Sequence, residues 1–284
     1  MKTKVRKNLK SFIKDFFSVL KRPEMTVLPG QLAFFFFLAI VPTITLISFS
    51  ASWLNLSTDV IFEFLENAFS KDVANLLLTT SSSYTGLRFA TLLIITYFIA
   101  SNGSASIIIT SNTIYGEKPD GFFKRRIKAI FMTLILVLLF LFLLVVPLFG
   151  TMITDFLNYV NVDNDISQNI VRIISILKGP ISWFIIFFMI TLIYTMAPNK
   201  NVKSKSVTYG AIFTSFSWII ITELFSYYIN NIADYSTFYG RLATIVPLML
   251  WIYFLSYIFT IGIALNYRKE EVELEKNGII NNQN

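Results

Sequence analysis

The sequence predicts an all-α integral membrane protein with six transmembrane helices and both termini in the cytoplasm. Five stretches contain no Asp, Glu, Lys or Arg, and a sixth contains one charge. Each exceeds the roughly 20 helical residues that cross a hydrocarbon core about 30 Å thick. The charge-free segments are residues 25–58, 89–116, 129–154, 179–199 and 242–267, and the sixth segment, with Glu223, is 206–233.

The distribution of Lys and Arg sets the expected orientation. With six spans, 19 of the 24 basic residues fall on the side that holds both termini and the second and fourth connections. Short cytoplasmic loops carry the excess of basic residues in membrane proteins. This side is therefore expected in the cytoplasm, and the protein is expected to cross the cell membrane several times.

Composition limits the classes of function. The chain is 55% apolar and 14% charged, against about 25% charged in soluble domains. The net charge of +7 lies in loops beside apolar spans, so topology explains it and nucleic acid is not expected as a partner. Cysteine and histidine are absent, which removes disulfides, thiolate nucleophiles and the commonest general base and metal ligand. No catalytic residue, metal site or cofactor is predicted.

The spans divide the chain into three parts. Residues 1–30 form a cytoplasmic segment, within which 4–20 read as a basic amphipathic helix lying in the membrane surface. Residues 268–284 form a cytoplasmic tail. Two outer loops, 57–86 and 152–178, each contain a further amphipathic interfacial helix. The six-helix domain covers residues 31–267, with spans at about 31–54, 88–110, 129–150, 179–197, 208–230 and 242–266.

Two spans carry polar stripes. In the second span, Asn102, Ser106 and Thr110 share one helical face with Thr113. In the fifth span, Ser215, Thr222 and Ser226 lie on one face with Thr208 and Ala211, and Glu223 lies beside it. Polar stripes of this kind are not expected to face the acyl chains of lipids. Each forms either a packing seam of small residues or one wall of a polar cavity.

Glu223 is the only ionisable side chain within the apolar part of any span. A carboxylate there is costly unless it is paired, protonated or hydrated, which makes it a candidate functional residue. Its nearest available counter-charge is Arg241 at the start of the sixth span. An ion pair between Glu223 and Arg241 would clamp the last two spans, whereas a protonatable Glu223 would suggest proton coupling. Pro42, in the first span, is expected to bend its helix.

Several short motifs occur in a fixed order along the chain. They are Ala33 to Pro42, Asn112, Tyr115-Gly116, Lys124-Arg125-Arg126, Tyr194, Ala197-Pro198, Gly210, Phe225, Tyr228, Tyr235, Tyr239-Gly240, Trp251 and Gly262 to Asn266. Together these motifs resemble the YihY/BrkB family of bacterial inner-membrane proteins, once labelled ribonuclease BN-like. The resemblance implies six helices with cytoplasmic termini in the bacterial cytoplasmic membrane. The family commonly has an acidic residue where this chain has Ala264, and a small residue where it has Arg241.

These patterns predict a transporter, exporter or flippase-like protein for an amphipathic or lipid-linked solute. The alternative is a membrane scaffold that organises envelope proteins or lipid without transporting. The ribonuclease label has no support in the residues, because the cytoplasmic loops offer no cluster of metal-binding carboxylates or acid–base pair. Membrane lipids are the expected partners, and association between copies of the chain stays open.

Overall fold

A computed structural model describes residues 15–53, 62, 66, 87–159, 164–231 and 245–276. These ranges contain helices and short connections and no strand. Each predicted span coincides with one long helix, apart from residue 197, which follows its helix, and residues 54 and 242–244, which lie outside the described residues. The helices are α1 (Glu24–Trp53), α2 (Leu87–Tyr115), α3 (Phe122–Tyr159), α4 (Asn164–Met196), α5 (Ser204–Asn231) and α6 (Ile245–Lys276).

Several of these helices are apolar and long enough to cross a membrane. The segments Leu93–Tyr115, Gly179–Met196, Ser204–Ile229 and Ile245–Val272 qualify among the described residues. The axis of helix α1 bends by 45° between Ile40 and Pro42, which divides the helix into two parts. If these two parts are counted as one span, α1 is a fifth candidate. A proline removes one intrahelical hydrogen bond and crowds the preceding turn, which accounts for a bend at this position. The chain is therefore an all-helical membrane protein, and the six-span count stays a prediction.

The segment 166–177 in the second outer loop, predicted as a separate interfacial helix, belongs to α4. That helix runs without a break from Asn164 through Pro180 to Met196. A single proline removes only one hydrogen bond, so it does not end a helix that is apolar on both sides. At the other end of the chain, α6 continues to Lys276, so part of the predicted tail is helical. The helix predicted in the first outer loop lies outside the described residues apart from positions 62 and 66.

The end of the predicted N-terminal helix packs on the bundle itself. Residues 15–20 are helical, Val19 is completely buried, and the Phe16 ring contacts Phe213 of α5 at a centroid distance of 6.0 Å. Phe17 on the opposite side is exposed. Residues 1–14 lie outside the described residues, so their predicted position on the membrane surface stays a prediction.

Helices α5 and α6 approach each other most closely at two glycines. A methyl group on Gly210 would overlap the carbonyl oxygen of Gly262, and one on Gly262 would overlap the hydroxyls of Thr214 and Tyr194. The Gly210 N–H donates to Asn266 Oδ1 of α6 at 2.7 Å. Small residues permit this backbone approach in membrane helices, and the amide adds an interhelical hydrogen bond.

Replacing Gly210 with Ala is expected to destabilise the bundle by about 1–3 kcal/mol, because the added methyl must displace backbone atoms of α6. The measurement is the melting temperature of the purified protein in detergent. Gly30→Ala is the matched control, since no atom lies within 4 Å of a methyl group at that position. Equal melting temperatures for the two variants would contradict the tight crossing.

Candidate functional site

The basic connections lie together at one end of the helix bundle, which we call the basic end. It comprises residues 15–24, 115–128, 197–205 and 267–271. Three ion pairs tie residues 15–24 and 197–205 to α6 and a fourth lies within α6, all of them partly exposed, and pairs of this kind stabilise most when they form a network. They join Arg22 and Arg268 to Glu271 at 3.1 and 2.8 Å, Arg268 to Asp15 at 3.8 Å, and Lys200 to Glu270.

The end of α2 is fixed by a glycine cap. Gly116 has φ +66° and is followed by a hydrogen bond from the Glu117 N–H to the Asn112 carbonyl oxygen at 2.9 Å. This arrangement satisfies the last carbonyls of a helix and favours glycine because of the left-handed backbone. The Asn112 side chain also accepts a hydrogen bond from the backbone N–H of Asn199 at 2.7 Å. Asn112, one of the residues that carry the family resemblance, thus joins α2 to the connection after α4.

Lys128 caps the end of α4. Its ammonium group donates to the carbonyl oxygens of Ala197 at 2.7 Å and Pro198 at 2.9 Å, and to Asn199 Oδ1 at 3.3 Å. A cation near the last carbonyls of a helix also interacts favourably with the helix dipole. Burial lowers the pKa of Lys128 from its ordinary value, and the Asp120 carboxylate opposes part of that change.

The interface of α4, α5 and α6 is a closed seam. The fully buried Tyr194 hydroxyl donates to the Phe259 carbonyl oxygen at 2.8 Å and shares a hydrogen bond with the Thr214 hydroxyl at 2.7 Å. The Trp218 indole N–H donates to the Leu255 carbonyl oxygen at 2.9 Å. These polar groups are partnered within the protein, so they join helices. Ala264, where the resemblance leads us to expect an acid, is buried in the same core.

The residues of the predicted α5 stripe do not share one environment, because some are buried at this interface and others are exposed on the surface. Ser215 is completely buried and donates to the Ile212 carbonyl of its own helix, and the Thr222 hydroxyl accepts from the Trp251 indole at 3.2 Å. Glu223 and Ser226 are exposed on the outer side of α5. Arg241 lies outside the described residues, so its pairing with Glu223 stays a prediction.

The predicted stripe of α2 faces a cleft between α1, α2 and α3. The cleft has a volume of about 140 Å³ and is lined by Asn102, Ser106, Arg125 and Arg126, with the rings of Phe35 and Phe122 beside them. Thr110, one turn further along α2, is completely buried. Within the part of the chain that the structure describes, the buried hydroxyls of Ser106 and Thr110 have no hydrogen-bond partner. Asn102 and Ser106 therefore lie together, away from the polar residues of α5.

The guanidinium group of Arg126 lies against the side of α2, near the middle of that helix. It donates to Asn102 Oδ1 at 2.8 Å and to the Phe98 carbonyl oxygen at 2.5 Å, and its central carbon lies 3.5 Å from the centroid of the Phe98 ring. Asn102 is at the midpoint of the charge-free segment 89–116. A cationic group thus lies beside the middle of an apolar helix, where ionisable groups usually mark functional sites.

The sequence placed Arg126 in a basic loop and did not indicate this position. Its side chain starts near the beginning of α3 and extends along the neighbouring antiparallel helix. A usable signal was the short connection between α2 and α3, which places a long basic side chain within reach of the mid-span Asn102. Arg126 and Arg125 are the site residues that sequence reasoning missed.

Lys128→Met is expected to lower the stability of the protein by about 1–3 kcal/mol, because three acceptors at the end of α4 lose their shared donor. Lys203→Met, at an exposed position of the same end, is the matched control. Thermal unfolding in detergent measures both variants. A Lys128→Met protein as stable as the control would show that the cap contributes nothing.

Known proteins provide an independent comparison. The chain is 28% identical over 265 residues to a protein named ribonuclease-like YfkH of Bacillus subtilis, a match that covers 90% of this chain and 94% of that protein. A UPF0761 membrane protein of Idiomarina loihiensis is 32% identical over 115 residues, which are 39% of this chain and 40% of that protein. One of Haemophilus influenzae is 32% identical over 101 residues, 36% of each chain.

The relatives are named as membrane proteins or for a likeness to ribonucleases. In the described ranges, no three His, Cys, Asp or Glu side chains are grouped as metal ligands. No solved structure matches the chain. The model of the family described as virulence factor BrkB matches residues 16–282, which confirms the resemblance to the YihY/BrkB proteins. This chain belongs to the virulence factor BrkB family.

Proposed function

We propose that this protein is a transporter, exporter or flippase-like protein that moves an amphipathic or lipid-linked solute across the bacterial cytoplasmic membrane. The observation that carries the proposal is the cleft in which Arg126 lies beside Asn102 at the middle of α2. A charged group at this depth is costly, and membrane proteins retain such groups chiefly along the paths of substrates or ions.

The composition of the cleft supports this role. Polar groups from Asn102, Ser106 and two arginines lie among aromatic and aliphatic side chains, which suits a solute with one charged and one apolar part. The Ser106 side chain lines the cleft, and its buried hydroxyl has no hydrogen-bond partner in the described structure.

The proposed orientation places the basic end in the cytoplasm and gives the chain six spans. The gathering of residues 115–128, 197–205 and 267–271 at one end supports this arrangement, since six antiparallel spans bring these segments to the same side. The excess of Lys and Arg in these segments favours the cytoplasmic side. Membrane lipids are the proposed partners.

The second candidate function is a membrane scaffold that organises envelope proteins or lipid without transporting. The closed seam of α4, α5 and α6 favours it, because the hydroxyls of Tyr194 and Thr214 are used in joining helices. An assembly of several copies would fit this role. Nothing in the chemistry of the cleft leads us to propose an enzymatic activity.

The orientation is tested by cysteine labelling, for which the natural absence of cysteine provides a clean background. A membrane-impermeant maleimide added to intact spheroplasts is expected to label Arg172→Cys and to spare Lys118→Cys. Both positions have exposed side chains, and both should be labelled after permeabilisation. Labelling of Lys118→Cys in intact spheroplasts would contradict the proposed orientation.

Transport is tested with purified protein in liposomes that contain fluorescent lipid analogues. Wild-type protein is expected to speed the exposure of inner-leaflet analogues to dithionite, and Ser106→Leu should reduce this rate about tenfold by filling the cleft. Thr91→Leu, at an exposed position on the same helix, is the matched control. A wild-type rate equal to that of protein-free liposomes would favour the scaffold.

A further inference from the structure

A second cavity lies on the same face of the bundle as the arginine cleft. It is an apolar groove of about 410 Å³, within the range of small-molecule sites. Helix α1 contributes Leu46 and Phe49, α2 contributes Ile94, Tyr97 and Phe98, and α3 contributes Ile130.

The groove and the cleft meet at one contact. Phe98 lines the groove, while Arg126, which lines the cleft, stacks on the Phe98 ring and donates to its carbonyl oxygen. A ligand that crosses this contact would have its polar part against guanidinium groups and its apolar part against aliphatic and aromatic side chains.

We infer that the cleft and the groove form one binding site for an anionic phospholipid of the bilayer. The phosphate lies between Arg125 and Arg126, and one acyl chain lies along the groove while the other remains in the membrane. This inference rests on the proposed function in that it names the class of solute that is carried.

The donors in the cleft match a phosphate group. The described lining residues include two arginines and no carboxylate, and arginine binds phosphate oxygens through its planar array of N–H groups. The volume of about 140 Å³ equals that of roughly five water molecules, which is enough for a phosphate.

The groove has the opposite character. Its two polar side chains direct their hydroxyls to backbone carbonyls, Tyr97 to Ile130 at 2.6 Å and Ser50 to Leu46 at 2.8 Å. With these hydroxyls already donating, the surface offered to a ligand is mainly apolar. An acyl chain satisfies such a surface, whereas a polar solute would lose hydrogen bonds to water without replacement.

The inference is tested by native mass spectrometry of the purified protein in detergent, with phosphatidylglycerol and phosphatidylcholine of identical acyl chains. Wild-type protein is expected to retain one phosphatidylglycerol with about tenfold preference, since the anionic headgroup allows closer pairing with the arginines. Arg125→Gln and Arg126→Gln should each remove most of this preference. Lys124→Gln is the matched control, because Lys124 belongs to the same basic cluster but is exposed and paired with Asp120.

The groove is tested separately with Ile94→Trp, which fills it. This variant is expected to bind both lipids about tenfold more weakly, because the acyl chain loses its site regardless of headgroup. Ile220→Trp, at an exposed position on α5, is the matched control. Unchanged binding by Ile94→Trp would overturn the assignment of the groove.

Other outcomes separate this inference from the proposed function. Displacement of phosphatidylglycerol by millimolar inorganic phosphate, or equal retention of the two lipids by wild-type protein, would overturn the inference even if liposomes show lipid translocation. Selective retention that depends on Arg125 and Arg126, without any translocation, would support the binding site and reject transport. If Arg126→Gln fails to fold, loss or persistence of the preference in Arg125→Gln decides the matter.

Discussion

The contact between α5 and α6 at Gly210 and Gly262 is the constraint around which the described core is arranged. The acyl chains of lipids do not hydrogen-bond to backbone or side chains, so helices that approach this closely must supply each other's partners. Asn266 supplies one to Gly210, and the Tyr194 hydroxyl brings α4 to the same point. At the basic end, the connection after α4 is also joined to α6, through the ion pair of Lys200 with Glu270.

The seam of α4, α5 and α6 and the cleft of α1, α2 and α3 differ in the surroundings of their polar groups. In the seam of α4, α5 and α6, Tyr194 and Thr214 meet protein partners, which fixes the helices at little cost in free energy. In the cleft of α1, α2 and α3, the Ser106 hydroxyl and the Arg126 Nε stay without partners in the described structure. Ser256 Oγ and Asn266 Nδ2 of α6 also lack partners among the described residues, so the feature that distinguishes the cleft is its pair of arginines beside a cavity.

The polar stripes show how far sequence patterns predict such a site. Helical periodicity places Asn102 and Ser106 on one face, and both line the cleft, because their relative position follows from the geometry of one helix. It did not separate Ser215, which is buried in the core, from Glu223, which is exposed on the outer side of α5. The rotation of a helix about its axis depends on its neighbours, and in a membrane apolar residues face lipid and protein alike.

Long charge-free segments and ordered motifs are properties of the chain alone, and they were enough to predict an all-helical membrane protein of the YihY/BrkB type. Pro42 likewise indicated the bend in α1. The contact of Arg126 with Asn102 and that of Gly210 with Gly262 became visible only in the packed helices. The reason is that a flexible arginine side chain or a close backbone approach is defined by a second helix, whose distance and register no local pattern encodes.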